Sequence, residues 1–183
     1  MAMTKHTLVA LVEDKPGVLN RIASLFRRRG FNIESIAVGH SETPHLSRMT
    51  IVVDGTTTSV EQVRKQLDKV IDVVRVSEIS GDDMVNRELA LIKVKATSTT
   101  RSEIMQIVDI FRANIVDVAA DSVTVEVTGD EDKIDSLFNL LRGFGVKELA
   151  RTGRIAMTRG SSNPLQVERE PAKPRRKRQK NVD

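Results

Sequence analysis

The apolar residues of this chain keep two rhythms, and the order in which those rhythms alternate leaves few folds open. Residues 6–12, HTLVALV, form an almost unbroken apolar run of strand length. From Val18 the spacing turns helical through Leu19, Ile22, Ala23, Leu25 and Phe26. Arg27, Arg28 and Arg29 then place cations at the negative end of a helix dipole, and Gly30 stands where a left-handed C-cap is expected. Residues 31–38, FNIESIAV, are β-rich. After the turn cluster SETPH, residues 46–53 alternate, with Met49, Ile51 and Val53 on one side and Arg48 and Thr50 on the other. Val60, Val63, Leu67 and Val70 mark a second helix, and residues 73–79, VVRVSEI, a fourth strand. The order βαββαβ is that of the split βαβ, or ferredoxin-like, arrangement.

Gly81-Asp82-Asp83 interrupts the pattern, and from residue 88 it begins again. Residues 88–95 read as a strand, and Ile104, Ile107, Val108 and Phe111 as a helix starting near Ser102. Residues 114–119 and 122–128 give two strands, and Ile134, Leu137, Phe138 and Leu141 a helix. One or two closing strands lie in 145–150 and 154–158. The halves also share letters, LFRRRGFNIESIAV (25–38) against IFRANIVDVAA (110–120), as an internal repeat would. The expectation is an α+β chain of two tandem ferredoxin-like domains, residues 4–80 and 84–160, followed by a disordered basic tail, 161–183. A domain of such size buries only about 60% of its unfolded surface and leaves open sheet edges, so a homo-oligomer is expected.

Charge is unevenly placed. The 183 residues hold 29 Lys and Arg against 25 Asp and Glu. Seven of those cations and three of the acids fall in 161–183, so the first 160 residues carry 22 of each. The body is thus no basic platform for nucleic acid; that tendency is confined to PRRKRQK. With five Phe and no Tyr or Trp, the sheets lack the aromatic display of RNA-binding split βαβ folds. The absence of cysteine removes disulfides, thiolate catalysis and Cys-ligated metals. No apolar run approaches the ~20 residues of a membrane helix, and a cytoplasmic location is expected. His40 and His45 flank a turn without further ligands in view, so no metal is expected, and with no Ser-His-Asp or paired-carboxylate arrangement standing out, no catalysis is expected either.

The most informative stretch is VEDKPGVLNRI, 12–22. Two readings fit it. Asp14 can cap the first helix, with Pro16 in its first turn and Gly17 easing the corner. Alternatively, the free N–H groups of the first turn bind a carboxylate, and Asp14 accepts from an ammonium group. Such a site takes a free α-amino acid, and the amide of Asn32 can serve either end of it. The corresponding turn of the second half, ATSTTR (96–101), has no Asp, Pro or Gly. The corner can therefore be made without them, which favours the ligand reading in the first half.

VEDKPGVLNRIASLFRRRGFNIESIAVG followed by HLSRMTIVV closely resembles the ACT domain of the regulatory, or small, subunit of acetolactate synthase, also called acetohydroxyacid synthase. The resemblance continues through QLDKVIDVVRVSEI, RELALIKV, EIMQIVDIFRANIVDV and GVKELARTGRIAMTRG, about residues 4–160. It implies a subunit without chemistry of its own. Such a subunit activates a large catalytic partner that uses thiamine diphosphate, magnesium and FAD, and confers feedback inhibition by branched-chain amino acids, typically valine. ACT domains pair edge to edge, with the effector between them. Carried onto this chain, the resemblance implies an effector site of Asp14, Gly17, Val18 and Leu19 from one protomer and Asn32 and Ile33 from the other. Contact with the large subunit is expected around His40, His45, Leu46 and Arg48. The family often has Asn where this chain has Asp14. The other reading is an amino-acid-sensing ACT protein acting on nucleic acid through its tail, against which the lack of a helix-turn-helix pattern counts.

Overall fold

Two antiparallel sheets, each backed by two helices, account for most of the computed structural model, which describes residues 5–55, 59–80, 84–161 and 164–165. The first half contains β1 (Lys5–Glu13), α1 (Val18–Arg29), β2 (Ile33–His40), β3 (Leu46–Asp54), α2 (Val60–Leu67) and β4 (Val73–Glu78). The second contains β5 (Met84–Lys95), α3 (Arg101–Ile110), β6 (Asn114–Val118), β7 (Ser122–Gly129), α4 (Glu131–Arg142), β8 (Val146–Arg151) and β9 (Ile155–Thr158). The strand orders β2-β3-β1-β4 and β6-β7-β5-β8 are the same order twice, the ferredoxin-like topology expected from the repeat. The PRRKRQK block and Gly81-Asp82-Asp83 lie outside the described residues.

Each core forms where helical and strand periodicities meet. Ile22, Leu25 and Phe26 of α1 and Val63 and Leu67 of α2 close over Leu8, Ala10, Met49, Ile51 and Val53. Ile104 and Val108 of α3 and Ile134, Leu137 and Leu141 of α4 do the same over Ala90, Ile92, Val125 and Val127. At the end of α1, Gly30 caps the helix and the Phe31 N–H donates to the Phe26 carbonyl at 3.0 Å. The Phe31 ring meets Phe26 edge to face, centroids 5.8 Å apart. Phe31 is therefore spent on closing the helix, and β2 starts at Ile33, two residues later than the pattern suggests.

The two halves share an apolar seam. β5 is twelve residues long, because Met84–Arg87 pair with β9 before Glu88–Lys95 enter the second sheet. The periodicity from residue 88 reports only the later segment. Val9, on the helix-free face of the first sheet, packs with Ile79, Ala156 and Leu165, and Met84 lies against them. Leu165 lies beyond residue 160, where the tail was expected to begin, yet it is buried. Polar contacts finish the join. Arg154 donates to the Thr7 hydroxyl at 3.2 Å and pairs with Glu131 at 2.8 Å, and Glu131 also pairs with Lys5. The Arg154 N–H donates to the Ser35 hydroxyl at 3.1 Å.

Candidate functional site

The turn from β1 into α1 is built differently from the capped corner that Asp14 and Pro16 allow. The helix begins at Val18, and the residue before it, Gly17, is left-handed at φ 91° and ψ −12°. A side chain at that φ would be strained, which is why glycine stands here. Pro16 lies outside the helix, and Asp14 does not cap it: no side chain caps α1. The first intrahelical bond runs from the Arg21 N–H to the Gly17 carbonyl at 3.0 Å. The N–H groups of Val18, Leu19 and Asn20 precede it, and the positive end of the helix dipole faces outward with them.

The second half makes its corner by another chemistry. The Thr97 N–H donates to the Thr100 hydroxyl at 3.0 Å, and the Thr97 hydroxyl lies 2.9 and 3.0 Å from those of Thr99 and Thr100. Arg101 then donates to the carbonyls of Ala119 and Ala120. That turn is tied together by its own hydroxyls, although no side chain caps α3 either, whereas the turn at Gly17 has no such hydroxyl cluster.

Asp14 points toward the end of the edge strand instead. Its carboxylate lies 3.1 Å from Nδ1 of His40, and its N–H donates to the His45 carbonyl at 2.9 Å. His45 itself is left-handed, φ 65°. The Leu46 carbonyl accepts from both the backbone and the hydroxyl of Ser41. Asp14, His40, His45 and Leu46 thus form one continuous surface. Arg48 lines the adjoining cleft with His40, and its guanidinium crosses to the Ala156 carbonyl in β9 at 2.8 Å, where burial lowers its pKa.

Asn32 and Ile33 stand elsewhere. Ile33 pairs with Val53, which pairs with His6 at the start of β1, while Asp14 follows the other end of that strand. From Ile33 to His40 the chain takes seven residue steps at about 3.3 Å, roughly 23 Å. Within one protomer these residues therefore sit at opposite ends of the sheet from the Gly17 turn. The Asn32 amide donates to Glu34 at 3.0 Å.

One residue that sequence reasoning missed holds the turn. Asp72, buried just before β4, takes Lys15 at 3.0 Å and Arg21 at 2.5 Å, and its carbonyl accepts from the Glu13 N–H at 2.9 Å. Lys15 also pairs with Glu13, and Glu13 and then Asp72 raise its pKa. The available signal was a lone acid in the apolar segment VIDVV.

Two clefts border the β2 edge. One, about 420 Å³, is apolar, with Val38, Ile155 and Met157 half or more exposed beside it. The other, about 440 Å³, is polar and lies between the halves, lined by Lys5, Ser35, Glu131, Arg151 and Arg154.

Comparison with known proteins bears on both halves. A family profile described as an AHAS small subunit-like ACT domain matches residues 8–75, and one described as the small subunit of acetolactate synthase matches residues 87–160. The chain is 59% identical over 157 residues to a probable acetolactate synthase small subunit of Archaeoglobus fulgidus, covering 86% of this chain and 98% of that protein. It is 50% identical over 159 residues to the acetolactate synthase small subunit of Bacillus subtilis, covering 86% and 92%. The crystal structure of an acetolactate synthase small subunit from Thermotoga maritima superposes with a TM-score of 0.81 at 45% identity, over 87% of this chain and all of that one.

Proposed function

This chain belongs to the acetolactate synthase small-subunit family, and on that premise we propose that it regulates a large catalytic subunit as a homodimeric sensor of valine. The thiamine diphosphate, magnesium and FAD chemistry then resides in the large subunit. This chain raises that subunit's activity and imposes feedback inhibition when valine is bound.

The observation that carries the reading is the uncapped N-terminus of α1 beside the carboxylate of Asp14. The amides of Val18 and Leu19 receive the effector carboxylate, and Asp14 accepts from its ammonium group. The half-exposed Leu19 offers apolar surface to the isopropyl group.

Strand order and direction suggest how Asn32 and Ile33 reach the same ligand. β2 is an edge strand, and its end at His40 adjoins Asp14. Pairing two β2 edges antiparallel brings the partner's Ile33 beside His40 of the first protomer. Each dimer then has two equivalent sites, and the exposed Val38 lies on the same edge. Valine acts on the large subunit only by favouring one arrangement of that dimer over another.

Calorimetric titration of the full chain with L-valine tests the site. Wild type should bind, while Asp14→Ala and Asn32→Ala should each lose most of the heat. Binding that survives both changes would remove the effector from this turn.

A further inference from the structure

The helical face of the first domain carries a charged groove that the effector site does not use. α1 and α2 flank it, and the α2–β4 turn completes it, with a volume of about 460 Å³. Arg21, Arg28 and Arg29 of α1 and Lys69 after α2 converge there over Leu25 and Val70. The lining holds no carboxylate. The first 160 residues carry equal numbers of acids and bases, so four cations in one groove are not a general excess. The helix dipoles account for the cations in the last turn of α1 and for Lys69 just past the C-cap of α2, but not for Arg21 two turns before the end of α1. Among the described residues, Arg21 pairs only with Asp72, and no side-chain ion pair holds Arg28, Arg29 or Lys69.

Building on the regulatory reading above, we propose that this groove docks a carboxylate-rich segment of the catalytic subunit. Arg21 and Arg28 are seven residues apart, about 10 Å along the helix axis, too far for one carboxylate to bridge. A chain bearing several spaced acids matches that separation, and its aliphatic portions cover Leu25 and Val70. Ala156 and Leu165 cover part of the helix-free face of the sheet around Val9, and the β2 edge is assigned to a second copy, which leaves the helical face and the β4 edge open.

The groove is also tied to the effector turn. Arg21 shares the carboxylate of Asp72 with Lys15, two residues before Gly17. Acids docked on Arg21 compete with Asp72 and so alter its hold on the turn. By linkage, effector binding alters docking to the same degree.

The test measures association of the full chain with the catalytic subunit of the same enzyme, at low and moderate salt. It compares wild type, a triple reversal (Arg28→Glu, Arg29→Glu, Lys69→Glu) and the milder triple glutamine variant at those positions. Both variants should keep the wild-type melting temperature and valine titration. Reversal should weaken association about tenfold or more and flatten its salt dependence, with glutamine intermediate. If reversal disturbs folding, the glutamine variant decides. Unchanged association and salt dependence in the folded variants overturn the groove while leaving the regulatory reading intact. Failure of wild type to associate overturns that reading and this proposal with it. Tripolyphosphate raising the melting temperature of wild type alone, with association unaffected in the variants, makes the groove a small-anion site and also overturns docking.

Discussion

The carboxylate of Asp14 lies 3.1 Å from Nδ1 of His40, and this one contact joins the turn that starts α1 to the last residue of edge strand β2. It puts the acceptor expected for an effector's ammonium group beside the edge at which a second protomer would pair. His40 is 87% exposed at its side chain, so its removal leaves the core untouched. His40→Ala should keep the free energy of unfolding within about 0.5 kcal/mol of wild type. Asp14→Ala should weaken valine binding about tenfold or more, the loss of a charge-assisted hydrogen bond. Paired thermal melts and calorimetry check both.

Asp72 is the strut of the turn into α1. Asp72→Asn preserves its shape but removes the charge that Lys15 and Arg21 share. Because both cations reach solvent, the cost should stay near that of hydrogen bonds to a charged group, about 1–3 kcal/mol by urea unfolding. Valine affinity should fall in the same variant, since Lys15 and Arg21 lose their charged anchor while the Glu13 N–H keeps the Asp72 backbone carbonyl.

Gly153 reports the fit between the halves. It is left-handed at φ 78°, and a Cβ there would stand 2.5 Å from the Ser35 hydroxyl oxygen. Gly153→Ala should destabilise by more than about 1 kcal/mol. Adding Ser35→Ala should recover only part of that loss, because the clash goes but the backbone strain remains and the Arg154 N–H loses its acceptor. A double-mutant cycle in urea separates the two.

Acid should loosen the same join through Glu131. Burial pushes its pKa up, but Lys5 and Arg154 outweigh burial and hold it below the usual 4.5. A carboxylate depressed on folding contributes stability above its unfolded pKa, and that contribution is lost as pH falls through the folded value. The expected window therefore lies below about pH 4.5. Glu131→Gln should flatten the pH dependence of the melting temperature in that range and leave the remaining carboxylates to titrate as before.

Much of this architecture was legible in the chain because it is local. Apolar spacing marked all four helices, and the match of LFRRRGFNIESIAV with IFRANIVDVAA falls on the same helix-to-strand junction in each half, where Gly30 and Arg112 both turn left-handed. The uncapped turn at Gly17 was half legible: the residues drew attention to it, but Asp14 was equally suited to capping. That choice was made by His40 and His45, which engage Asp14 from β2 and the following turn.

Periodicity, punctuation and repetition, read from the sequence by itself, determined two βαββαβ units and singled out VEDKPGV as a candidate binding turn. Only the tertiary structure decided that Asp72 anchors that turn, that Arg48 reaches β9 and that Leu165 seals the seam. It also decided that Asn32 and Asp14 stand at opposite ends of one sheet. The physical reason is range. Helix and strand patterns arise from neighbours a few positions apart, whereas Asp72 meets Arg21 across 51 residues and Arg48 meets Ala156 across 108. Such pairings follow from strand order and register, which no local spacing encodes.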